Sequence, residues 1–347
     1  KYTDQVRGEI YQPLVIAPPV TATLTEKAFI FNGIEPKTIN VQLKSFKDNA
    51  TGILKPRLPV GWKVSDGQLN FKLLKKGDEQ LLTFTVTPSV NASDGKLLLD
   101  VIVDGKIYNY GLRVINYDHI PVQTLFPLAE AKIEKIDLKY AGKRIGYIAG
   151  AGDLIPESLK QIGYDVTNLT ESQVMNFDLS QYDAIVTGVR LYNVNDQIKV
   201  LQPKLMKYVE SGGVFLVQYN VNSPLKIDDL GPYPFRLSRD RVTEEDAKVT
   251  ILAPESPAFN YPNKITAKDF TGWIQERGLY FVTDADQHYT SLISMNDTAE
   301  PANNGALIVT NYGKGKYVYT GISFFRQLPA GVPGAYRLFV NLISKAK

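Results

Sequence analysis

The sequence predicts two domains, an all-β sandwich followed by an α/β domain with a mostly parallel sheet covered on both faces. The length of 347 residues suits two domains at roughly 100–200 residues each. Residues 1–122 alternate apolar and polar side chains, which is typical of half-buried strands. From residue 143 onward, short continuous apolar runs alternate with helical segments. We therefore expect domains at 1–122 and 143–347, joined by a linker at 123–142.

Strands and tight turns account for the first domain. Leu82, Phe84 and Val86 alternate with threonines, so one face of this strand is apolar. The dipeptide Asp104-Gly105 separates two further apolar runs and predicts a β-hairpin. Turn-forming residues recur along the segment, and the short antiparallel strands between them predict a sandwich of roughly seven strands.

The segment 123–142 breaks the alternation. Pro127 precedes a charged stretch, 129–136, whose composition is compatible with a helix. We expect this segment to link the two domains.

Parallel strands and helices account for the second domain. Pro156 opens a helix that ends at Gly163, and a second helix opens near Pro203 and ends at Gly212. The apolar face of a final helix comprises Ala335, Leu338, Phe339, Leu342 and Ile343. The runs predicted as strands are 144–148, 164–169, 184–189, 214–217 and 317–321.

Composition excludes several classes of function. The 39 basic and 36 acidic residues are dispersed, with a net charge of +3, so we expect no nucleic-acid partner. There are no cysteines and only two histidines, His119 and His288, which excludes thiolate chemistry and leaves few groups for acid–base or metal sites. No apolar stretch has the ~18 residues of a membrane span, and Lys1 begins no signal peptide, so we expect a soluble, mature or excised chain.

A glycine-rich turn follows the first predicted strand of the second domain. Gly150-Ala151-Gly152 offers backbone amides to an anion, but Ile155 stands where a dinucleotide fingerprint has its third glycine. Tight-turn geometry explains such a pair of glycines more often than a nucleotide does. We predict no cofactor.

The residues Gln218, Tyr219 and Asn220 follow the predicted central strand at its carboxyl end, where open α/β sheets place their binding sites. Side-chain amides cannot act as nucleophiles, and a tyrosine needs a pKa several units below its usual value of about 10 to do so. We therefore expect no ordinary covalent catalysis at this position.

Arginine, carboxylate and aromatic side chains concentrate in three later segments. Such groups suit a sugar or an anionic ligand, because rings stack on apolar faces and guanidinium groups donate in pairs. They equally suit an ion-pair network that only fixes loops. The predicted ligand-binding residues are Arg190, Tyr219, Asn220, Arg239, Arg241, Gln275, Arg277 and Arg326. Glu276 and Asp240 are the candidates for acid–base catalysis, and no metal ligands are predicted.

Distinctive runs in the second domain carry a family resemblance. They include GPYPF at 231–235, SRDRVT at 238–243, QERGLY at 275–280 and the long run at 323–336. The domain resembles the C-terminal region of large bacterial proteins whose N-terminal domain is a LmbE/PIG-L-type deacetylase. This resemblance implies a flavodoxin-like fold of the class I glutamine amidotransferase type, related to ThuA-like domains. That fold normally offers a Cys or His where this chain has Tyr219.

The first domain carries a looser resemblance. The run LPVGW at 58–62 and the turn at 77–79 are similar to the NEW3-type, immunoglobulin-like domains appended to glycoside-processing enzymes. The zinc motif of the deacetylases, an Asp-Asp pair with separated histidines, has no counterpart in this sequence. The resemblance therefore implies a deacetylase domain outside this chain and a periplasmic or extracellular location.

Three functions follow from these observations. The first is a non-catalytic accessory region of a glycan-processing protein, which binds carbohydrate or docks a deacetylase domain. The second is a hydrolase acting on a sugar derivative, in which Glu276 or Asp240 serves as the acid–base group and Arg239, Arg241, Arg277 or Arg326 as its anion partner. The third treats the same loops as a structural or oligomeric interface, where arginine and aromatic residues are enriched.

Overall fold

The computed structural model describes residues 2–6, 8–11, 13–92 and 94–345. It divides into two compact units, Lys1–Ile136 and Asp137–Lys347. The division falls inside the segment 123–142 that the sequence suggests as a linker. Most of that segment therefore belongs to the first unit.

The first unit is all-β. Its strands are β1 (Tyr2–Asp4), β2 (Gly8–Ile10), β3 (Val20–Leu24), β4 (Ala28–Asn32), β5 (Lys37–Ser45), β6 (Ala50–Arg57), β7 (Trp62–Val64), β8 (Leu69–Leu73), β9 (Glu79–Pro88), β10 (Gly95–Val103), β11 (Lys106–Tyr108), β12 (Arg113–Ile115), β13 (Gln123–Leu125) and β14 (Glu130–Ile136). Six of them form one sheet, in the order β4-β14-β10-β6-β8 with β11 beside β10, and four form another, in the order β3-β5-β9-β7.

The two sheets enclose one apolar core. The alternation predicted for β9 is present, with Phe84 and Val86 buried in that core. Phe31 from one sheet meets Trp62 from the other edge-on, with ring centroids 4.8 Å apart. The predicted hairpin is confirmed: β10 and β11 pair antiparallel around Asp104-Gly105, and both turn residues have positive φ.

The stretch 129–136 forms a strand, although its composition is compatible with a helix. Ala131 and Ile133 point into the core at a spacing of two, which places both on one face of a strand. In a helix, residues at this spacing would point in different directions. The strand β14 pairs antiparallel with β10 and parallel with β4. Tertiary pairing thus outweighs the local propensity of its charged residues.

The second unit contains strands and helices. Its strands are β15 (Arg144–Ile148), β16 (Asp165–Asn168), β17 (Ala184–Thr187), β18 (Val214–Gln218), β19 (Arg236–Leu237), β20 (Arg241–Val242), β21 (Val249–Ile251), β22 (Gly278–Leu279), β23 (Val282–Thr283), β24 (Thr290–Ser291), β25 (Ile293–Met295), β26 (Leu307–Tyr312) and β27 (Gly315–Thr320). Its α-helices are α1 (Ile155–Gln161), α2 (Glu171–Asn176), α3 (Leu191–Val194), α4 (Ile198–Glu210), α5 (Pro257–Asn260), α6 (Phe324–Gln327) and α7 (Pro333–Ile343), and Leu179–Gln181 and Ala267–Phe270 are 3₁₀ turns.

A seven-stranded sheet organises this unit, in the order β16-β15-β17-β18-β27-β26-β24. The strands from β16 to β27 run parallel, so the carboxyl ends of β15, β17, β18 and β27 lie along one edge. The last two strands, β26 and β24, extend the sheet antiparallel. Short antiparallel pairs, β19-β23, β20-β22 and β21-β25, fill much of the segment between β18 and β26.

The prediction of a flavodoxin-like α/β fold with a mostly parallel sheet is wrong. Over the described residues the structure is mostly β, with 36% strand and 17% helix, and its two largest sheets, of six and seven strands, combine parallel and antiparallel pairs. One cause is the tight connection from β26 to β27: only Gly313 and Lys314 separate them, and Gly313 has a φ of +58°. So short a loop permits only antiparallel pairing, because parallel neighbours need a crossover of a dozen or more residues.

The helices agree with the sequence in part. Pro156 lies in the first turn of α1, and the predicted face of α7 is buried. By contrast, α4 begins at Ile198 and contains Pro203 in its interior, because Leu201, Leu205 and Val209 bury one continuous face on both sides of the proline. In the described part of the chain, no helix has the length and apolar character needed to cross a membrane.

Candidate functional site

The carboxyl edge of the parallel strands brings together the loops that follow them. The carboxylate of Asp153, after β15, accepts a hydrogen bond from the Val189 amide, after β17, at 2.9 Å. The amide of Arg190 donates to the carbonyl of Tyr219, after β18, at 2.8 Å. These bonds fix three loops against one another and place Arg190 beside Tyr219.

Three aromatic rings meet at this edge. The ring of Tyr219 lies 6.3 Å from that of Tyr280 with an interplanar angle of 10°, and 5.1 Å from that of Phe325. Burial raises the pKa of the Tyr219 phenol, and the nearby guanidinium groups of Arg190 and Arg326 oppose that shift only in part. The phenol is therefore protonated at neutral pH, so it acts as a hydrogen-bond donor and a stacking surface and not as a nucleophile.

A polar network borders the rings. Arg326, on α6, donates from its Nε to the Glu276 carboxylate at 2.8 Å and from its Nη1 to the Gln275 side-chain oxygen at 2.5 Å. Its guanidinium lies 4.9 Å from the centre of the Phe325 ring. The side chain of Arg326 is 38% exposed, so part of this fork faces solvent. We call Arg190, Tyr219, Gln275, Glu276, Tyr280, Phe325 and Arg326 the aromatic–arginine cluster.

Backbone strain concentrates in this cluster. Arg190, Gln275 and Tyr280 have φ values of +61°, +64° and +54°, in the left-handed region that non-glycine residues rarely adopt. The Nε atom of Arg190 is buried and has no hydrogen-bond partner in the described residues. Strained backbone and an unpaired buried donor both cost free energy, and such features gather at functional sites.

Asn220, which the sequence predicts as a ligand-binding residue beside Tyr219, has a structural role. It is fully buried, and its side-chain oxygen accepts from the Tyr192 amide at 2.9 Å while its nitrogen donates to the Gln218 carbonyl at 2.9 Å. Both ends of the amide are thus occupied within the protein. Asn220 orients the loop that presents Tyr219.

Arg277 also lies outside the cluster, because its side chain is buried beneath the surrounding loops. Its guanidinium donates twice to the Ala247 carbonyl, at 3.1 and 2.8 Å, and once to the Phe270 carbonyl at 2.6 Å. It also packs over the Trp273 ring at 5.6 Å. Arg277 therefore holds loops together through hydrogen bonds to neutral carbonyl groups.

The third group of predicted residues, Arg239, Asp240 and Arg241, lines a separate cavity of about 360 Å³ with Asn303. Asp240 accepts a hydrogen bond from the Asn303 side chain at 2.9 Å. The structure thus distributes the predicted residues over the cluster, this cavity and the loop interior. Two carboxylate–arginine groups result, Glu276 with Arg326 in the cluster and Asp240 with Arg239 and Arg241 at this cavity.

The sequence analysis did not predict two members of the cluster, Tyr280 and Phe325, as ligand-binding residues. Tyr280 and Phe325 are separated from Tyr219 by many residues. The pairing of β18 with β27 brings the Phe325 loop to Tyr219, and the bridge from Gly278 to Ile322, just after β27, brings Tyr280 there. The sequence signals that could have identified them are the tyrosine that ends QERGLY and the two phenylalanines at 324–325. Neither indicates a direction for its side chain.

The remaining sequence candidates have local explanations. A side chain at Gly150 would overlap the Val189 carbonyl oxygen, so the glycine permits close approach of two loops. His288 is half exposed, stacks on Tyr233 and pairs with Asp286 through Nδ1 at 2.5 Å. Within the described ranges, no three His, Cys, Asp or Glu side chains gather as metal ligands.

Comparison with known proteins leaves the family open: no family model matches the sequence, and no curated protein matches it. Solved structures match weakly. Native alpha-2-macroglobulin from E. coli has a TM-score of 0.24 and 10% identity, over 35% of this chain and 7% of that one. The cold-adapted beta-galactosidase from Rahnella sp. R3 has a TM-score of 0.34 and 16% identity, over 58% of this chain and 32% of that one.

A third likeness is to the third ScaB cohesin of R. flavefaciens in complex with a group 1 dockerin. Its TM-score is 0.22 at 14% identity, over 35% of this chain and 98% of that one. This chain spans less than a third of the macroglobulin and beta-galactosidase chains. At TM-scores this low, none of the three carries an argument about fold or function.

Proposed function

We propose that this chain is an accessory region of a glycan-processing protein and binds carbohydrate at the aromatic–arginine cluster. The observation that carries the proposal is the set of rings at Tyr219, Tyr280 and Phe325 beside the Arg326 fork. Sugar rings have apolar C–H faces that pack on aromatic rings and hydroxyl groups that exchange hydrogen bonds. The cluster offers both kinds of surface within one group of loops.

The polar groups suit hydroxyl and carboxylate recognition. Arg326 and Glu276 place a donor and an acceptor side by side, which is the pattern that a pair of vicinal hydroxyls can bridge. Arg190 retains an unpaired buried N–H, which a carboxylate or hydroxyl oxygen would satisfy. A sugar that carries an acidic group therefore gains most from this cluster.

The proposal extends to the biological context. The runs at 231–235, 238–243 and 275–280 support a role beside a LmbE/PIG-L-type deacetylase domain, in the periplasm or outside the cell. The raised pKa of the Tyr219 phenol, which rules out a phenolate nucleophile at neutral pH, favours binding over covalent catalysis. In this proposal the chain holds glycan near a catalytic domain encoded elsewhere.

Calorimetric titration with a glycan panel tests the proposal. The panel contains N-acetylglucosamine oligomers, the corresponding amino sugars and oligosaccharides with glucuronate units. Tyr219→Ala should weaken the best ligand by at least about tenfold, which corresponds to about 1.4 kcal/mol, because a stacking surface is lost. Tyr219→Phe keeps the ring and should retain most of the affinity.

The matched control is Tyr117→Ala, which removes an exposed tyrosine in the first unit and should leave affinity unchanged. Melting curves of all variants separate a binding defect from unfolding. The proposal fails when no glycan in the panel binds, or when Tyr219→Ala binds as tightly as the parent chain while both remain folded.

A further inference from the structure

A second cavity lies at the opposite edge of the seven-stranded sheet. Its volume is about 640 Å³, and the first residues of β18 and β27, Val214 and Gly315, contribute to its lining. These residues mark the amino ends of the parallel strands, whereas the aromatic–arginine cluster lies at the carboxyl ends. The two sites are therefore distinct, and a ligand in this cavity would bind independently of carbohydrate at the cluster.

The antiparallel extension of the sheet accounts for this cavity. Helix α7 packs against β17 and β18, while the sheet continues beyond β27 into β26 and β24. The segment 253–258 completes the lining. Apolar side chains dominate the surface of the cavity, among them Val214, Leu292, Val318 and Leu342, all of them buried. The interior thus favours an apolar ligand body.

Three lysines give the cavity a positive rim. Lys316 donates from Nζ to the carbonyls of Ser344, at 2.6 Å, and Asn341, at 3.4 Å, and Lys345 donates to the Gly212 carbonyl at 2.8 Å. These partners are neutral, and among the described residues none of the lysines at 314, 316 and 345 forms an ion pair.

The lining contains one carboxylate, Glu255, against these three ammonium groups. The excess of positive charge is therefore not neutralised within the cavity. Burial lowers the pKa of Lys316 to about 8, which shows how little its surroundings compensate the charge. An anionic group brought beside these lysines would supply that compensation.

We propose that this cavity binds a small amphipathic anion, a molecule with an apolar body and one carboxylate. The apolar body fills the space between the sheet and α7, and the carboxylate accepts hydrogen bonds from Lys345 and Lys314 beside the charge of Lys316. Cavities of roughly 300–1,000 Å³ hold ligands of this size. A medium-chain fatty acid is the simplest member of the class.

Three probes that share one alkyl chain separate the contributions. Octanoate, 1-octanol and octylammonium are titrated into the full chain at pH 7, below their micellar concentrations. Octanoate should bind at least tenfold more tightly than octanol, and octylammonium more weakly than either. The double variant Lys314→Met/Lys345→Met should reduce octanoate affinity to that of octanol and leave octanol unchanged.

Two further variants make the test specific to this cavity. Val309→Trp adds bulk to a half-buried lining position and should abolish binding of octanoate and octanol together. Lys204→Met, whose lysine donates to the Met175 carbonyl away from this cavity, is the control and should change neither affinity. Equal affinity for the three probes, no binding of octanoate, or octanoate binding that survives Val309→Trp in a folded chain would overturn the proposal.

Discussion

Replacing Lys316 with methionine should remove a pH dependence of stability that this lysine gives the second unit. Burial between β27 and the end of α7 lowers its pKa from 10.5 to about 8. Between those two values the unfolded chain keeps the proton while the folded chain releases it. The free energy of unfolding therefore rises with pH in this window, and below pH 7 both states are protonated and the slope vanishes.

The magnitude follows from the two pKa values. Their difference corresponds to about 3 kcal/mol of stability once both states are deprotonated. About 2 kcal/mol of this appears between pH 7 and pH 9.5. The tyrosines of the unfolded chain begin to ionise in the same range and lower stability, but they do so equally with and without Lys316, so the difference between the two chains isolates the lysine. A change of this size is a large fraction of the stability of a domain.

The assay uses the two tryptophans, one in each unit. In a Trp62→Phe background, the fluorescence of Trp273 reports unfolding of the second unit alone. Between pH 7 and pH 9.5, the free energy of unfolding measured in guanidinium should change by about 2 kcal/mol more favourably in the background chain than after Lys316→Met. Lys37, whose pKa burial also lowers to about 8, lies in the first unit and does not enter this signal. An equal change with pH in both chains would refute the reasoning.

Further substitutions test other parts of the second unit. Arg277→Met should lower the free energy of unfolding by about 3 kcal/mol, since the Ala247 and Phe270 carbonyls lose a buried charged donor; an unchanged melting temperature would contradict this. Gly334→Ala should destabilise α7, because the new carbon overlaps the Asp269 carbonyl, and a parent-like thermal melt would argue against it. Gln275→Gly should raise stability by up to about 1 kcal/mol by relieving a left-handed backbone, yet weaken glycan binding in calorimetry.

The sequence predicts the individual elements of this chain better than their assembly. Strands such as β15 and β18 and the buried face of α7 follow from local apolar patterns, which depend on neighbours two to four residues away. The mixed sheet depends on the hairpin at Gly313-Lys314 and on strands of two or three residues between β18 and β26. Strands so short have no recognisable period of apolar residues. The sequence therefore contains no pattern that would have indicated a mixed sheet in place of the flavodoxin-like one.

The candidate site, too, could be predicted from the sequence only in part. The position of Tyr219 follows from the rule that open sheets carry their sites at the carboxyl ends of strands. Its partners do not, because Tyr280 and Phe325 reach it through contacts that span about 60 and more than 100 residues of sequence. Arg277 and Arg326 are of the same type in the sequence, and only the structure separates the first, buried among loop carbonyls, from the second, which is partly exposed beside the rings.

The strain at Arg190, Gln275 and Tyr280 bears on how the cluster would bind. Each left-handed non-glycine residue costs roughly 1–2 kcal/mol, so these loops would relax unless other bonds held them. Such bonds are present: the Arg190 amide donates to the Tyr219 carbonyl at 2.8 Å, and the Gln275 amide donates to the Glu245 carboxylate at 2.5 Å. The side chains are thereby positioned before a ligand arrives, and a preorganised site loses less conformational entropy on binding. We therefore expect the loops to keep their backbone conformation when the ligand binds, and the affinity to depend on these two hydrogen bonds as well as on the rings.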